Sequence, residues 1–236
     1  MRWLSRVSYY RFSAHLYTNR LAGSDNYKPG TTFAEIANLY NFDRQLRLVL
    51  MNGIECIEVW LRTVVTYELA HRCGPSGYLK KPSFNQGFDH KQFRKTLRQE
   101  HERSEVKAGF RPALSEQVHR REPLPVWMAT EVLTFGTLSV LYSVLPLNSK
   151  RSIAATVGLQ DNVLSNWLQS VAYIRSNWLQ SVAYIRNLCA HHSRVWNRKL
   201  AISPKILRGS DSHGIEPSKL YAALLALDFL ISQNRA

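Results

Sequence analysis

Apolar residues recur every three to four positions along most of the chain, a spacing typical of amphipathic helices. The clearest case covers residues 32–72, where Thr31 or Thr32 is a candidate N-cap and Glu35 is placed for a capping box. Its predicted apolar side consists of Leu46, Leu50, Ile54, Ile57, Leu61 and Val64. Alternating runs typical of strands are few, and none carries a hairpin signal. The pattern therefore predicts an all-α protein.

Further helices are predicted at residues 5–18, 126–145, 162–198 and 218–232, between segments that contain Gly and Pro. Residues 80–122 are polar and densely charged, and we expect shorter helical pieces there, interrupted at Gly109 and Pro112. No boundary divides the chain clearly. Residues 1–236 are therefore predicted to form one compact domain.

The sequence SNWLQSVAYIR occurs twice in succession, at residues 165–175 and 176–186. Eleven residues turn a helix through three turns plus about 20°, so a helix can contain both copies nearly in phase. The apolar side of this helix would consist of Trp167, Val171, Ile174, Trp178, Val182, Ile185, Cys189, His192 and Trp196. We expect one helix about 16 Å longer than a single copy would give. The alternative is that one copy loops out.

Charge narrows the classes of partner. The chain has 31 Lys and Arg against 17 Asp and Glu, a net charge of +14. Such a field favours nucleic acid or an acidic membrane face, although a basic protein can also lack a special partner. The three cysteines, Cys56, Cys73 and Cys189, are odd in number and lack metal-ligand spacing, which argues against a disulfide framework and a zinc finger. A reducing, cytoplasmic location is expected, and no apolar stretch is long enough to span a membrane.

The segment that begins at Arg186 carries the most informative polar pattern. On a helix, its polar stripe would consist of Asn187, His191, Arg194 and Arg198, flanked by Arg186 and Asn197. His192 falls on the apolar arc and is predicted to pack rather than to react. Since Cys189, His191 and His192 share no face, no metal is expected. Polar stripes are also common on solvated surfaces, so the pattern alone is weak.

Charged residues also line the predicted helix at residues 32–72, roughly opposite its apolar side. They are Arg44, Arg47, Glu55, Glu58 and Arg62. Glu58 and Arg62 are four residues apart and can form an ion pair. If this side faces the segment that begins at Arg186, its carboxylates would orient the arginines and the histidine of that segment. On a free surface it would have no such role.

Four blocks of the sequence resemble the Abi-like family, the AbiD/AbiF-type abortive-infection proteins of bacteria. They are Tyr9-Tyr10-Arg11-Phe12-Ser13, the segment from Asp43 to Arg62, Pro125-Val126-Trp127 with residues 131–136, and the block from Arg186. Arg186 and His191 also match the Arg-x(4–6)-His signature of HEPN ribonucleases. The resemblance spans nearly the whole chain and implies a HEPN-like helical bundle. Relatives usually carry some tens of residues before the first block, so an N-terminal piece is expected to be missing here.

The resemblance implies a metal-independent endoribonuclease of phage defence that needs no cofactor. In such enzymes the RNA 2′-hydroxyl attacks the adjacent phosphate. His191 would transfer protons and Arg186 would stabilise the charged phosphorane. Supporting residues would be Asn187, His192, Arg194, Asn197, Arg198, Glu55, Glu58 and Arg62. Arg44, Arg47, Lys91, Arg94, Lys95 and Arg98 are predicted to bind RNA. The tandem repeat is a departure from the family and leaves the activity of this variant open.

Partners follow from the same resemblance. The chain has one Arg-x4-His set, whereas the reaction moves two protons, so a homodimer with a composite site is implied. RNA is the expected partner, and a structured non-coding RNA is one kind of RNA that would fit. The alternative function is a non-catalytic RNA-binding or regulatory protein of the same fold. A membrane-surface protein is a weaker option, because no strongly amphipathic Lys-rich terminal helix is present.

Overall fold

The computed structural model of the chain describes residues 3–107, 124–155, 164–204 and 214–232. The helices are α1 (Tyr9–Leu16), α2 (Phe33–Cys73), α3 (His90–Lys107), α4 (Val126–Ala129), α5 (Phe135–Ser143), α6 (Leu147–Ala155), α7 (Leu164–Ala190) and α8 (Leu220–Ser232). Short 3-10 helices occupy Tyr17–Asn19, Gly77–Leu79, Lys81–Ser83 and Thr130–Val132. Within these described ranges there is no β-strand, only an isolated bridge between Arg20 and Tyr27. The all-α prediction is confirmed.

Helix α2 runs through the centre of the bundle and contacts α1, α4, α5, α6, α7 and α8. Its start is the predicted capping box: the Thr32 hydroxyl accepts from the Glu35 amide at 3.2 Å, and the Glu35 carboxylate accepts from the Thr32 amide at 3.0 Å. It ends before Gly74, whose φ of 74° suits glycine. The most deeply buried apolar residues of α2 are Ile36, Leu50, Ile54, Ile57, Leu61, Val65 and Leu69. The predicted core side is confirmed, except that Leu46 and Val64 are only partly buried.

Helix α7 is one continuous helix that contains both copies of the repeat. In the second copy, Trp178, Val182 and Ile185 are buried in the core, as predicted. The predicted apolar residues of the first copy, Trp167 and its equivalents, lie outside the described side chains. The predicted helix at residues 162–198 is too long at its C-terminal end, because α7 stops at Ala190.

The single helix predicted at residues 126–145 is wrong. The chain leaves the helical conformation at Leu133 and Thr134, and α5 begins after Thr134 as N-cap. The buried Glu100 carboxylate of α3 accepts from the Thr134 amide at 3.0 Å, and the Arg62 guanidinium donates to the Leu133 carbonyl at 3.2 Å. These tertiary hydrogen bonds satisfy the backbone groups that a continuous helix would have paired. The predicted interruptions at Gly109 and Pro112 lie outside the described residues.

An aromatic cluster holds α1 against the start of α2. Rings of Trp3, Phe12, Phe33 and Tyr40 pack with centroids 5.0–5.8 Å apart. Such contacts combine large buried area with favourable edge-to-face geometry. The cluster fixes α1 so that His15 points to α2 and Arg11 reaches the segment after α7.

Candidate functional site

Helix α7 ends in a tight turn at the two histidines. The His192 amide donates to the Cys189 carbonyl at 3.0 Å, and the Ser193 amide donates to the Leu188 carbonyl at 2.8 Å. His192 has a φ of 56°. This is the Schellman pattern, with His192 at the left-handed position that glycine usually occupies. The polar stripe predicted on one continuous helical face therefore does not form beyond His191.

The two histidines are both exposed. The prediction that His192 packs in the core is wrong, because the left-handed turn directs the chain away from the apolar side of α7. His191 still has its amide paired with the Asn187 carbonyl at 3.0 Å, so it lies directly at the helix end. Val195 re-enters the core beyond the turn and is fully buried.

A cluster of charges joins α7 to α2. The Arg186 Nε lies 3.9 Å from Glu58 Oε2, and Glu58 Oε1 lies 3.1 Å from Arg62 Nη2. Arg62 in turn donates to the carbonyls of Thr130 and Leu133. The Arg186 Nε is buried but has no hydrogen-bond partner among the described residues. The structure thus brings two of the predicted supporting residues, Glu58 and Arg62, to the predicted catalytic arginine.

A cavity of about 520 Å³ opens beside Arg186. Its lining consists of Leu48, Met51, Asn52, Ile54, Glu55, Glu58, Val59, Arg62 and Arg186. Leu48 and Val59 are each 59% exposed, so the mouth of the cavity lies at the protein surface. The size falls within the range of small-ligand pockets, and the lining combines apolar side chains with the ionic groups of Glu55, Glu58, Arg62 and Arg186.

A second ionic cluster was not predicted. Asp43 of α2 is fully buried, and its Oδ2 lies 3.3 Å from His15 Nε2 and also accepts from the Arg47 guanidinium. Its Oδ1 accepts from the amides of Val195 at 3.0 Å and Trp196 at 2.7 Å. The spacing of Asp43 and Arg47, four residues apart on a helix, was the available sequence signal. Nothing local indicated the partners at positions 15, 195 and 196.

Opposing effects act on the Asp43 carboxyl. Burial raises its pKa, whereas the hydrogen bond from His15, the amides of Trp196 and Val195, and the Arg47 guanidinium lower it. The pKa of Asp43 ends below its ordinary value, so the group is an anion at neutral pH. Arg47, predicted to bind RNA, is only 5% exposed and is paired with this anion. It therefore lies in the interior and not on a phosphate-binding surface.

Of the other predicted supporting residues, Asn187 is exposed near the end of α7, and Arg194, Asn197 and Arg198 lie on the segment after the turn. Arg194 is half-buried, and its Nη1 is buried with no hydrogen-bond partner among the described residues. Burial lowers the pKa of Arg194, partly offset by the Asp43 carboxylate, while Arg198 lowers it further. Arg198 donates to the Arg194 carbonyl at 3.4 Å. Asn197 is exposed with a φ of 47°, a second left-handed residue that is not glycine.

The predicted RNA-binding residues of α3 form a basic groove. Lys91, Arg94, Lys95 and Arg98 are exposed and line one depression of about 1080 Å³, together with Lys81. Asp89 and Glu102 are the acidic residues of this lining. Arg44 is exposed on α2 and does not line the groove.

Helix α3, which carries the basic groove, is connected to the Arg186 cluster through the residues that precede α5. Glu100 of α3 accepts from Thr134, and Arg62 donates to the neighbouring carbonyl of Leu133. The backbone at residues 133–134 is therefore held from both sides.

Across the described ranges, no three His, Cys, Asp or Glu side chains are grouped as metal ligands. In those same parts of the chain no helix has the length and apolar character needed to cross a bilayer.

Comparison with known proteins gives one match. The family model described as Abi-like protein matches residues 2–197 of the chain. The matched region extends from before α1 to the segment after α7 and contains both ionic clusters. No curated protein and no solved structure matches.

Proposed function

Because the chain belongs to the Abi-like protein family, we propose that it is a metal-independent endoribonuclease of bacterial abortive infection, of the HEPN type that its Arg186–His191 spacing resembles. The RNA 2′-oxygen attacks the adjacent phosphorus while the bond from phosphorus to the 5′-oxygen breaks. One proton leaves the 2′-hydroxyl and one is delivered to the 5′-oxygen. The products are a 2′,3′-cyclic phosphate and a 5′-hydroxyl. Cleavage of cellular or phage RNA would arrest the infected cell.

The observation that carries this proposal is the state of the Arg186 guanidinium. Its Nε is buried and unpaired among the described residues, while the side chain remains 39% exposed beside the cavity. A buried donor without a partner calls for an explanation, and a ligand oxygen supplies one. Glu58 lies too far away for a hydrogen bond but close enough to orient the cation. A guanidinium held in this way is suited to a phosphate oxygen.

His191 supplies the proton-transfer group in this proposal. Its side chain is exposed at the end of α7, five residues after Arg186. Imidazole is the side chain used most often as a general acid or base, and positioned acid–base groups contribute about 10²–10⁴-fold to such reactions.

The basic groove on α3 supports RNA as the substrate class. Lysine and arginine side chains that follow one groove can neutralise successive backbone phosphates. The same groove favours the second candidate, a non-catalytic RNA-binding protein of the same fold, because backbone binding needs no imidazole. The two candidates differ in whether RNA is cut.

We further propose that the active form is a homodimer with a composite site. One Arg-x4-His set supplies one imidazole, whereas attack and departure need a base and an acid. Helix α2 exposes Leu48 and Val59, each at 59%, in the lining of the cavity that contains Arg186, and it exposes Val49, the residue after Leu48, at 70%. A two-fold contact through this face would place two such cavities near each other. Val49→Glu should then give a monomer in sedimentation velocity and lose cleavage, whereas a wild-type monomer that cuts RNA would contradict the composite site.

The test of the main proposal is cleavage of 5′-labelled single-stranded RNA in EDTA. Wild type should cut and leave cyclic phosphate ends, and both Arg186→Ala and His191→Ala should reduce cleavage at least 10²-fold. Matched controls are Arg20→Ala, an arginine of similar exposure paired with Asp25 at 3.0 Å, and His71→Ala, an exposed histidine of α2. RNA that is bound but never cut by the wild type would favour the non-catalytic candidate.

A further inference from the structure

The turn that presents His191 is held from the inside by a buried anion. Asp43 Oδ1 accepts from two consecutive amides of the chain after the turn, Val195 at 3.0 Å and Trp196 at 2.7 Å. The two oxygens of this carboxylate have different hydrogen-bond partners. Oδ1 faces the turn segment, and Oδ2 faces His15 and Arg47.

Two further side chains hold the same turn. Arg47 Nη1 donates to the Ser193 carbonyl at 3.5 Å, and Arg11 Nη1 donates to the His192 carbonyl at 3.5 Å. Backbone groups of residues 192, 193, 195 and 196 are thus fixed by side chains of α1 and α2. The His191 side chain, by contrast, is exposed, and among the described residues no hydrogen bond or ion pair holds it.

Fixing the backbone matters because His191 precedes a left-handed residue. His192 has a φ of 56°, a conformation that costs an L-residue about 1–2 kcal/mol and persists only where the surroundings determine it. A buried carboxylate is itself costly unless its oxygens are paired. In Asp43, one carboxylate oxygen is paired with the amides of Val195 and Trp196, which follow the left-handed turn at His192.

We infer that Asp43 is a positioning residue for His191: it anchors the amides of residues 195 and 196 and so fixes the turn from which the imidazole projects. This inference rests on the proposed function for its catalytic consequence. Displacing a reacting group by about 1 Å can cost about 10²-fold in rate. Asp43 itself is fully buried and cannot contact RNA. Loss of its charge should therefore lower kcat while leaving KM for RNA unchanged.

The test compares Asp43→Asn with Glu68→Gln. Asparagine has nearly the same shape but leaves Arg47 without its counter-charge and gives the two amides a neutral acceptor. Glu68 is also buried, at 8% exposure, and pairs with Arg72 on α2, away from the turn. We expect kcat to fall at least tenfold in Asp43→Asn with KM within twofold, and both constants to stay within twofold in Glu68→Gln.

A second readout does not depend on cleavage. With ¹³C-labelled histidine, the His191 ring signal is assigned by its absence in His191→Gln, and it should shift or broaden in Asp43→Asn but not in Glu68→Gln. Should Asp43→Asn fail to fold, Asp43→Glu is measured instead, because it keeps the charge and moves the oxygens by one methylene. An unchanged His191 signal in a folded Asp43 variant overturns the inference. If wild type cuts no RNA, the proposed function fails, while the ring signal still decides the role of Asp43.

Discussion

Substitution of the left-handed His192 should change the free energy of unfolding, and the sign of that change depends on whether the side chain is exposed or buried. Replacing it by glycine removes the Cβ that makes a φ of 56° unfavourable. That relief is worth about 1–2 kcal/mol, and the extra freedom of glycine in the unfolded chain costs about 0.5–1 kcal/mol. His192→Gly should therefore be neutral or stabilise by up to about 1.5 kcal/mol. His192→Val should destabilise, since a β-branched residue tolerates this conformation poorly.

Thermal unfolding followed by circular dichroism measures the series. For a chain of this size, 1 kcal/mol shifts Tm by about 2–4 °C. The expected order of stability is glycine, histidine, valine. If His192 instead filled part of the core, as the sequence suggested, truncation to glycine would cost about 2–5 kcal/mol and valine would be the milder change. A glycine variant that is less stable than the valine variant would refute the turn geometry.

Three further predictions follow from other parts of the structure. The Asp43 carboxyl binds a proton more readily in the unfolded chain than in the folded one, because folding lowers its pKa. Its contribution to the free energy of unfolding is therefore present at pH 5 and lost as the pH falls below about 3.8 toward the folded pKa. Urea midpoints measured between pH 6 and pH 3 should show a loss of stability in the wild type that Asp43→Asn lacks. Burial raises the pKa of Cys189 to about 11, so iodoacetamide at pH 8 should label the exposed Cys56 and reach Cys189 only on unfolding, as read by peptide mass spectrometry. Arg94→Ala with Arg98→Ala should weaken RNA binding and reduce its salt slope by about two, and an unchanged slope would place the phosphates elsewhere.

The sequence predicted the features that depend on residues close together on one helix. The capping box at Thr32 and Glu35 and the apolar side of α2 depend on residues three or four apart, and both are as expected. The continuous helix through the repeat also follows from periodicity alone. These features could be predicted because their partners lie within one or two turns of the same helix.

The features that the sequence did not predict depend on contacts between residues far apart along the chain. The break at Leu133 and Thr134 depends on Arg62, 71 residues before Leu133, and on Glu100, 34 residues before Thr134. The end of α7 carries no glycine, so the usual signal for a Schellman turn is missing. The fixing of the turn depends on Asp43, 152 residues before Val195. No spacing rule within one segment contains this information.

The Asp43 cluster also sets when the site can exist during synthesis. Its members come from α1, α2 and the segment after α7, so the carboxylate has its partners only after residues 195 and 196 have been made. Chains fold from the N-terminus as they emerge, and contacts between distant residues form late. Helix α2 can therefore assemble its capping box and ion pairs early, with the turn amides still absent. In a nascent chain of this protein, the backbone that carries His191 should stay unfixed until translation has passed residues 195 and 196.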